Sequence, residues 1–117
     1  MNLEETKSLL KPIADRFNEG KPQWSLMDFD SFEPMIRVLE YGSKKYSRNN
    51  WKKGLPTVEI MDSLMRHIIS FLEGEDIDKE SGLPHVGHMM CNLMFLSYVM
   101  KNKPELDNRE DEILKLK

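Results

Sequence analysis

The sequence is poor in cysteine, with only Cys91 among 117 residues. A lone thiol forms no disulfide within the chain and builds no cysteine-rich zinc site. Long apolar runs are missing as well. The longest, Met89 to Met100, is interrupted by Asn92 and Ser97 and is too short to span a bilayer. Met1 to Lys11 mixes charged and apolar side chains, so it holds no apolar signal core. An excess of positive charge is also absent, because the formal net charge is −3. A general nucleic-acid binder would carry a basic face, so neither nucleic acid nor membrane is an expected partner. No window alternates apolar and polar residues with period two, and no repeat or low-complexity tract is visible. These absences lead to the expectation of a soluble protein in a reducing cytoplasm.

What is present fits one domain over residues 1–117. The hydrophobic share is 39% and the charged share 32%, and nine methionines suit adaptable helix packing. Asn2 to Phe17 is weakly helical and limited by Pro12. A first long helix is predicted from Asp28 to Tyr46, capped by Asp28 or Asp30, with Phe32, Ile36 and Leu39 as its buried stripe. Gly42 within it suggests a close approach by another backbone. A second helix is predicted over Val58 to Glu73, with Thr57 as N-cap and Gly74 as its stop. Its apolar face holds Met61, Leu64, Met65, Ile68, Phe71 and Leu72. A third is predicted over Pro84 to Lys101, apolar on nearly all sides and hence central or at a subunit interface. The expected architecture is a small all-α helical bundle, with a core over about 16–101 and a peripheral tail over 102–117. Leu106, Ile113 and Leu114 would pack weakly in a last short helix of that tail.

The chemistry gathers between the second and third helices. The segment GEDIDKESGLPHVGH, Gly74 to His88, places Glu75, Asp76, Asp78 and Glu80 within six residues. His85 and His88 follow, three apart and so on one helix face, with Asn92 four further on. His67 lies beside Leu64 and Phe71 and should point inward. Crowded carboxylates repel, and a bound cation relieves the repulsion. Carboxylate oxygens suit Mg²⁺ or Mn²⁺, and imidazoles shift the preference towards Mn²⁺ or other transition ions. An acidic loop is as readily only solvated, and a histidine on an apolar face is often a satisfied core residue. A second cluster, Lys44-Lys45-Tyr46-Ser47-Arg48-Asn49-Asn50-Trp51-Lys52-Lys53, can hold phosphates and stack on a base, or simply end a helix in cations. A third segment, Arg16 to Trp24, offers Lys21 to phosphate and Trp24 to a base, or is only a loop. Glu33 and Glu40 share a helix face and could add a carboxylate.

Three ordered segments, FNEGKPQW, YGSKKYSRNNW and RHIISFLEGEDIDKESGLPHVGH followed by CNLMFL, resemble the phage and bacterial dATP/dGTP diphosphohydrolase family. That family is related to the MazG-like all-α nucleoside triphosphate pyrophosphohydrolases. The likeness covers about Arg16 to Leu96. It implies cleavage of a (d)NTP, with purine deoxynucleotides as substrates, into a (d)NMP and pyrophosphate, with Mg²⁺ or Mn²⁺ as cofactor. It also implies a homodimer or homotetramer. His67, Glu75, Asp78, Glu80, His85 and His88 would then hold metal, and Glu75 or Glu80 would orient or deprotonate water. Lys21, Lys44, Lys45, Arg48 and Asn49 would bind the substrate, with Trp51 or Trp24 at its base. The wider superfamily's Glu-x-x-Glu and Glu-x-x-Asp pairs are here replaced by His67 with Glu73 and by His85-x-x-His88. The rival readings are a triphosphohydrolase releasing tripolyphosphate and a non-enzymatic helical interaction module. The absence of an adjacent His-Asp pair speaks against an HD-type enzyme.

Overall fold

Local capping and proline signals set most of the helix ends. The computed structural model describes residues 1–110. Asn2 and Glu5 form a capping box that starts α1 (Leu3–Leu10), and the chain leaves the helix at Lys11, just before Pro12. Pro34 in the first turn fixes the start of α2 (Glu33–Lys45), which a short 3-10 turn over Asp30–Phe32 precedes. The helix therefore begins later than the predicted Asp28. α3 spans Thr57–Leu72 and α4 spans His85–Asn102, each entered from a proline in extended conformation, Pro56 and Pro84. Further 3-10 turns cover Trp24–Leu26, Asn50–Lys53 and Pro104–Leu106. Among the described residues there is no strand, so the all-α class predicted from the sequence holds. No helix among them is long and apolar enough to cross a membrane.

α4 is the central helix and packs on both α2 and α3. Val38 of α2, Ile60 and Leu64 of α3, and Cys91 and Val99 of α4 form the buried core. The predicted stripe on α2 is rotated, since Ile36 is exposed and Val38 takes its place inside. The outer flank of α4 is open at Val86, Leu93 and Met100, and that of α3 at Met65, Ile68, Phe71 and Leu72. The apolar surface of both helices is wider than their contact with each other.

The close backbone approach occurs at Gly87, not at Gly42. A Cβ on Gly87 would lie 2.5 Å from the Pro34 carbonyl oxygen, whereas one on Gly42 would meet nothing within 4 Å. Gly42 lines an open cavity, so its missing side chain leaves space rather than admitting a neighbour. Thr57 also departs from its predicted role. It is the first helical residue, and its buried Oγ1 has no partner among the described residues. The α3 cap comes instead from the far end of the chain, where Asn108 Oδ1 accepts the Val58 N–H at 3.0 Å. Nearby, Leu106 rests on Gly54, whose φ is +87°. A side chain at Gly54 would collide with Leu106 as well as strain the backbone. Ile113 and Leu114 lie outside the described residues. Residues 1–26 are exposed throughout and draw the molecule out to 67 × 36 × 29 Å.

Candidate active site

The acidic segment after α3 is folded back rather than open. Gly74, at φ +97°, turns the chain out of the helix. Asp78 N–H then donates to the Leu83 carbonyl at 2.9 Å, Gly82 N–H to that of Asp78 at 2.8 Å, and His85 N–H to that of Asp76 at 2.9 Å. A bridge between Ile77 and Pro84 closes the loop. This closure carries Asp78 and Glu80 towards the first turn of α4 and the facing side of α3.

All three histidines meet there. The His85 ring is buried, and its Nε2–H donates to Glu75 Oε1 at 2.9 Å. A carboxylate only accepts, so the His85 ring carries a hydrogen on Nε2 and turns Nδ1 the other way. That atom faces His67 Nδ1 at 2.9 Å. The His88 ring stacks on that of His67, with centroids 4.4 Å apart and planes 4° from parallel. Ser81 Oγ accepts the Leu83 N–H at 3.2 Å and is hydrogen-bonded to His88 Nε2 at 2.7 Å. Asp78 Oδ2 accepts the Ser81 N–H at 2.9 Å and lies 3.7 Å from His88 Nε2. Donor atoms of His67, Asp78 and His85 all fall within 4.8 Å of one another, close enough to share one ion.

Burial, more than any charge, lowers the His67 and His88 imidazoles below their usual range, and the neighbouring histidines lower His67 further. Neutral imidazoles are the form that binds metal. Burial would raise the Asp78 carboxyl, but hydrogen bonds from Ser81, together with His88 and His67, outweigh it and hold the group below its usual value. The one thiol is unsuited to nucleophilic chemistry. Burial pushes Cys91 up to about 12, and its Sγ donates to the Met35 carbonyl at 3.4 Å.

These groups form one wall of a cavity of about 770 Å³. The same cavity is also lined by four cations, Lys45, Arg48, Lys53 and Arg66. Lys45 Nζ reaches across to Glu80 Oε1 at 3.1 Å, and that hydrogen bond raises the Lys45 pKa. Further along, Trp51 lines the cavity with its ring stacked on Phe95 at 5.3 Å and set edge-on to Tyr98 at 5.0 Å.

Of the residues singled out from the sequence, His67, Asp78, Glu80, His85, His88, Lys45, Arg48 and Trp51 line this cavity. Glu75 sits behind His85 and does not line it. Lys44 and Asn49 each precede a lining residue and face elsewhere. Lys21 and Trp24 belong to the exposed N-terminal arm and do not reach the cavity. Glu33 and Glu40 flank Arg37 on the open side of α2, at 3.2 Å each. Lys53 and Asn92, noted within the basic cluster and on the histidine face, also line the cavity, as do Arg66 and Ser63, which the sequence reading did not single out. Arg66 and Ser63 were within reach of the sequence, since one adjoins the inward His67 and the other lies one helical turn before it.

The family described as dATP/dGTP diphosphohydrolase, N-terminal, matches residues 12–109. A protein of Salmonella phage PMBT28 named dATP/dGTP diphosphohydrolase is 37% identical over 94 residues, which is 80% of this chain. The chain spans about a third of that relative's length, 32%. No solved structure matches the chain. With most of its length inside the matched region, the chain belongs to the dATP/dGTP diphosphohydrolase N-terminal family.

Proposed function

We propose that the protein hydrolyses a (deoxy)nucleoside triphosphate, dATP or dGTP, to the monophosphate and pyrophosphate with the help of Mg²⁺ or Mn²⁺. One observation carries the reading: a carboxylate-imidazole cluster and four cations line a single cavity. A polyphosphate needs both, a cation for its charge and fixed donors for its oxygens. The name of the phage relative points to the same substrates.

His67, Asp78 and His85 would hold the ion, and two imidazoles with one carboxylate favour Mn²⁺ over Mg²⁺. When bound, such an ion lowers the pKa of water and neutralises developing phosphate charge. Glu75 would act through His85, fixing the ring so that Nδ1 faces the cluster. Lys45 and Arg48, joined by Lys53 and Arg66, would hold the β- and γ-phosphates. Glu80 is the carboxylate best placed to take the proton of the attacking water, once Lys45 turns from it to phosphate. The water oxygen bonds to the α-phosphorus, the bond from that phosphorus to the α,β-bridging oxygen breaks, and pyrophosphate leaves. Trp51 would meet the base.

The test is to incubate the purified protein with dATP and dGTP, with Mn²⁺, with Mg²⁺ and with neither, and to separate the products. Monophosphate with pyrophosphate, dependent on the ion, is expected. Asp78→Asn should slow turnover by about 100-fold or more while the helical circular dichroism stays unchanged. Nucleoside with tripolyphosphate would instead make the protein a triphosphohydrolase. Absence of turnover with either ion would leave a helical interaction module.

A further inference from the structure

Beyond His67 and His88, the next pair along the two helices is Ser63 and Asn92. Asn92 is buried and lines the same cavity. Its Nδ2 donates to the His88 carbonyl at 3.0 Å and to Ser63 Oγ at 3.3 Å. A carbonyl oxygen only accepts, so the amide orientation is fixed and Oδ1 points away from His88. No donor among the described residues reaches Oδ1. It is also not among the atoms sealed from solvent without a partner, so it opens on the cavity. The Ser63 hydroxyl hydrogen is likewise uncommitted among the described residues, because Ser63 Oγ serves there only as an acceptor. An unused acceptor and an unused donor therefore lie side by side in the wall. One small group that both donates and accepts would satisfy them, and a sugar hydroxyl is such a group.

The position of this pair agrees. Four helical residues rise by about 6 Å. Along α4 the polar cluster at His85 and His88 comes first, Asn92 follows one turn on, and Phe95 with the stacked Trp51 comes next. A nucleotide has the same order of phosphate, sugar and base. We infer that Ser63 and Asn92 form a sugar subsite that takes the 3′-hydroxyl of the bound nucleotide, which donates to Asn92 Oδ1 and accepts from Ser63 Oγ. This inference rests on the nucleotide reading of the cavity.

The experiment compares dATP with 2′,3′-dideoxyadenosine triphosphate, which differ only in the 3′-hydroxyl. In the intact protein kcat/KM should be about 10-fold or more lower for the dideoxy compound, because the Ser63–Asn92 pair then loses the group that satisfies it. Asn92→Ala should slow dATP by a similar factor, leave the dideoxy compound little changed, and so bring the two substrates level. Ser63→Ala provides the same comparison should Asn92→Ala fail to fold. The dideoxy arm also controls for any disturbance of His88, which would slow both substrates alike. Equal handling of the two substrates by the intact protein, or equal losses in the variants, would overturn the sugar subsite and leave the hydrolase reading standing. Failure to hydrolyse any nucleoside triphosphate would overturn both.

Discussion

His85 shows how one buried side chain acquires a direction. The ring is held on both sides, with Glu75 accepting from Nε2 and His67 facing Nδ1. The neighbouring rings are also kept neutral, because burial lowers His67 and His88. A sign follows for stability. With folded pKa values below the usual histidine range, near 6.5, the unfolded chain takes up protons before the native one as pH falls. Their contribution is complete above about pH 6.5 and is lost below it. Asp78, lowered as a carboxylate, acts only in a more acidic window, around and below 3.8. The urea midpoint without metal should therefore be lower at pH 5.5 than at pH 7.5. An equal or higher midpoint at pH 5.5 would contradict the neutral cluster. The residue identities were legible in the sequence through spacing, since His85 and His88 are three apart and His67 sits on an apolar face. Glu75's place behind His85 was not, because it depends on how the loop folds back.

At the scale of the element, α3 shows where local signals end. Its limits are written nearby, in Pro56 before it and Gly74 after it, and both were readable. Its cap is not local. Asn108, fifty residues on, accepts the Val58 N–H, while the Thr57 hydroxyl, inside the helix, has no partner among the described residues. Asn108→Ala should cost about 1 kcal/mol of stability and lower Tm by several degrees, with Asn108→Asp recovering most of the loss. Thermal unfolding followed by circular dichroism measures both, and an unchanged Asn108→Ala would show that the contact contributes nothing. The closed acidic loop and the Gly87 contact with Pro34 escaped the sequence for the same reason. Each joins segments whose pairing no periodicity encodes. Gly42 had the stronger local signal, inside an apolar-periodic helix, yet it faces the cavity.

At the scale of the molecule, much apolar surface lies outside the core. Leu72 is 77% exposed on α3, and Leu93 and Met100 are more than half exposed on α4. This surface gives the homodimer or homotetramer expected from the family likeness a physical basis, since association would remove it from water. Light scattering on the purified protein should return a multiple of the monomer mass, and a monomer at micromolar concentration would contradict that expectation. Within one copy, α4 lies between α2 and α3 and carries the site in successive turns. His85 and His88 face His67, Asn92 faces Ser63, and Phe95 faces Trp51. Each level keeps its place only while the count of residues between levels holds. One residue inserted between His88 and Asn92 would turn everything after it by about 100° about the helix axis. The stretch from His85 to Phe95 therefore cannot change its number of residues without separating the cluster, the Ser63–Asn92 pair and the Trp51–Phe95 stack.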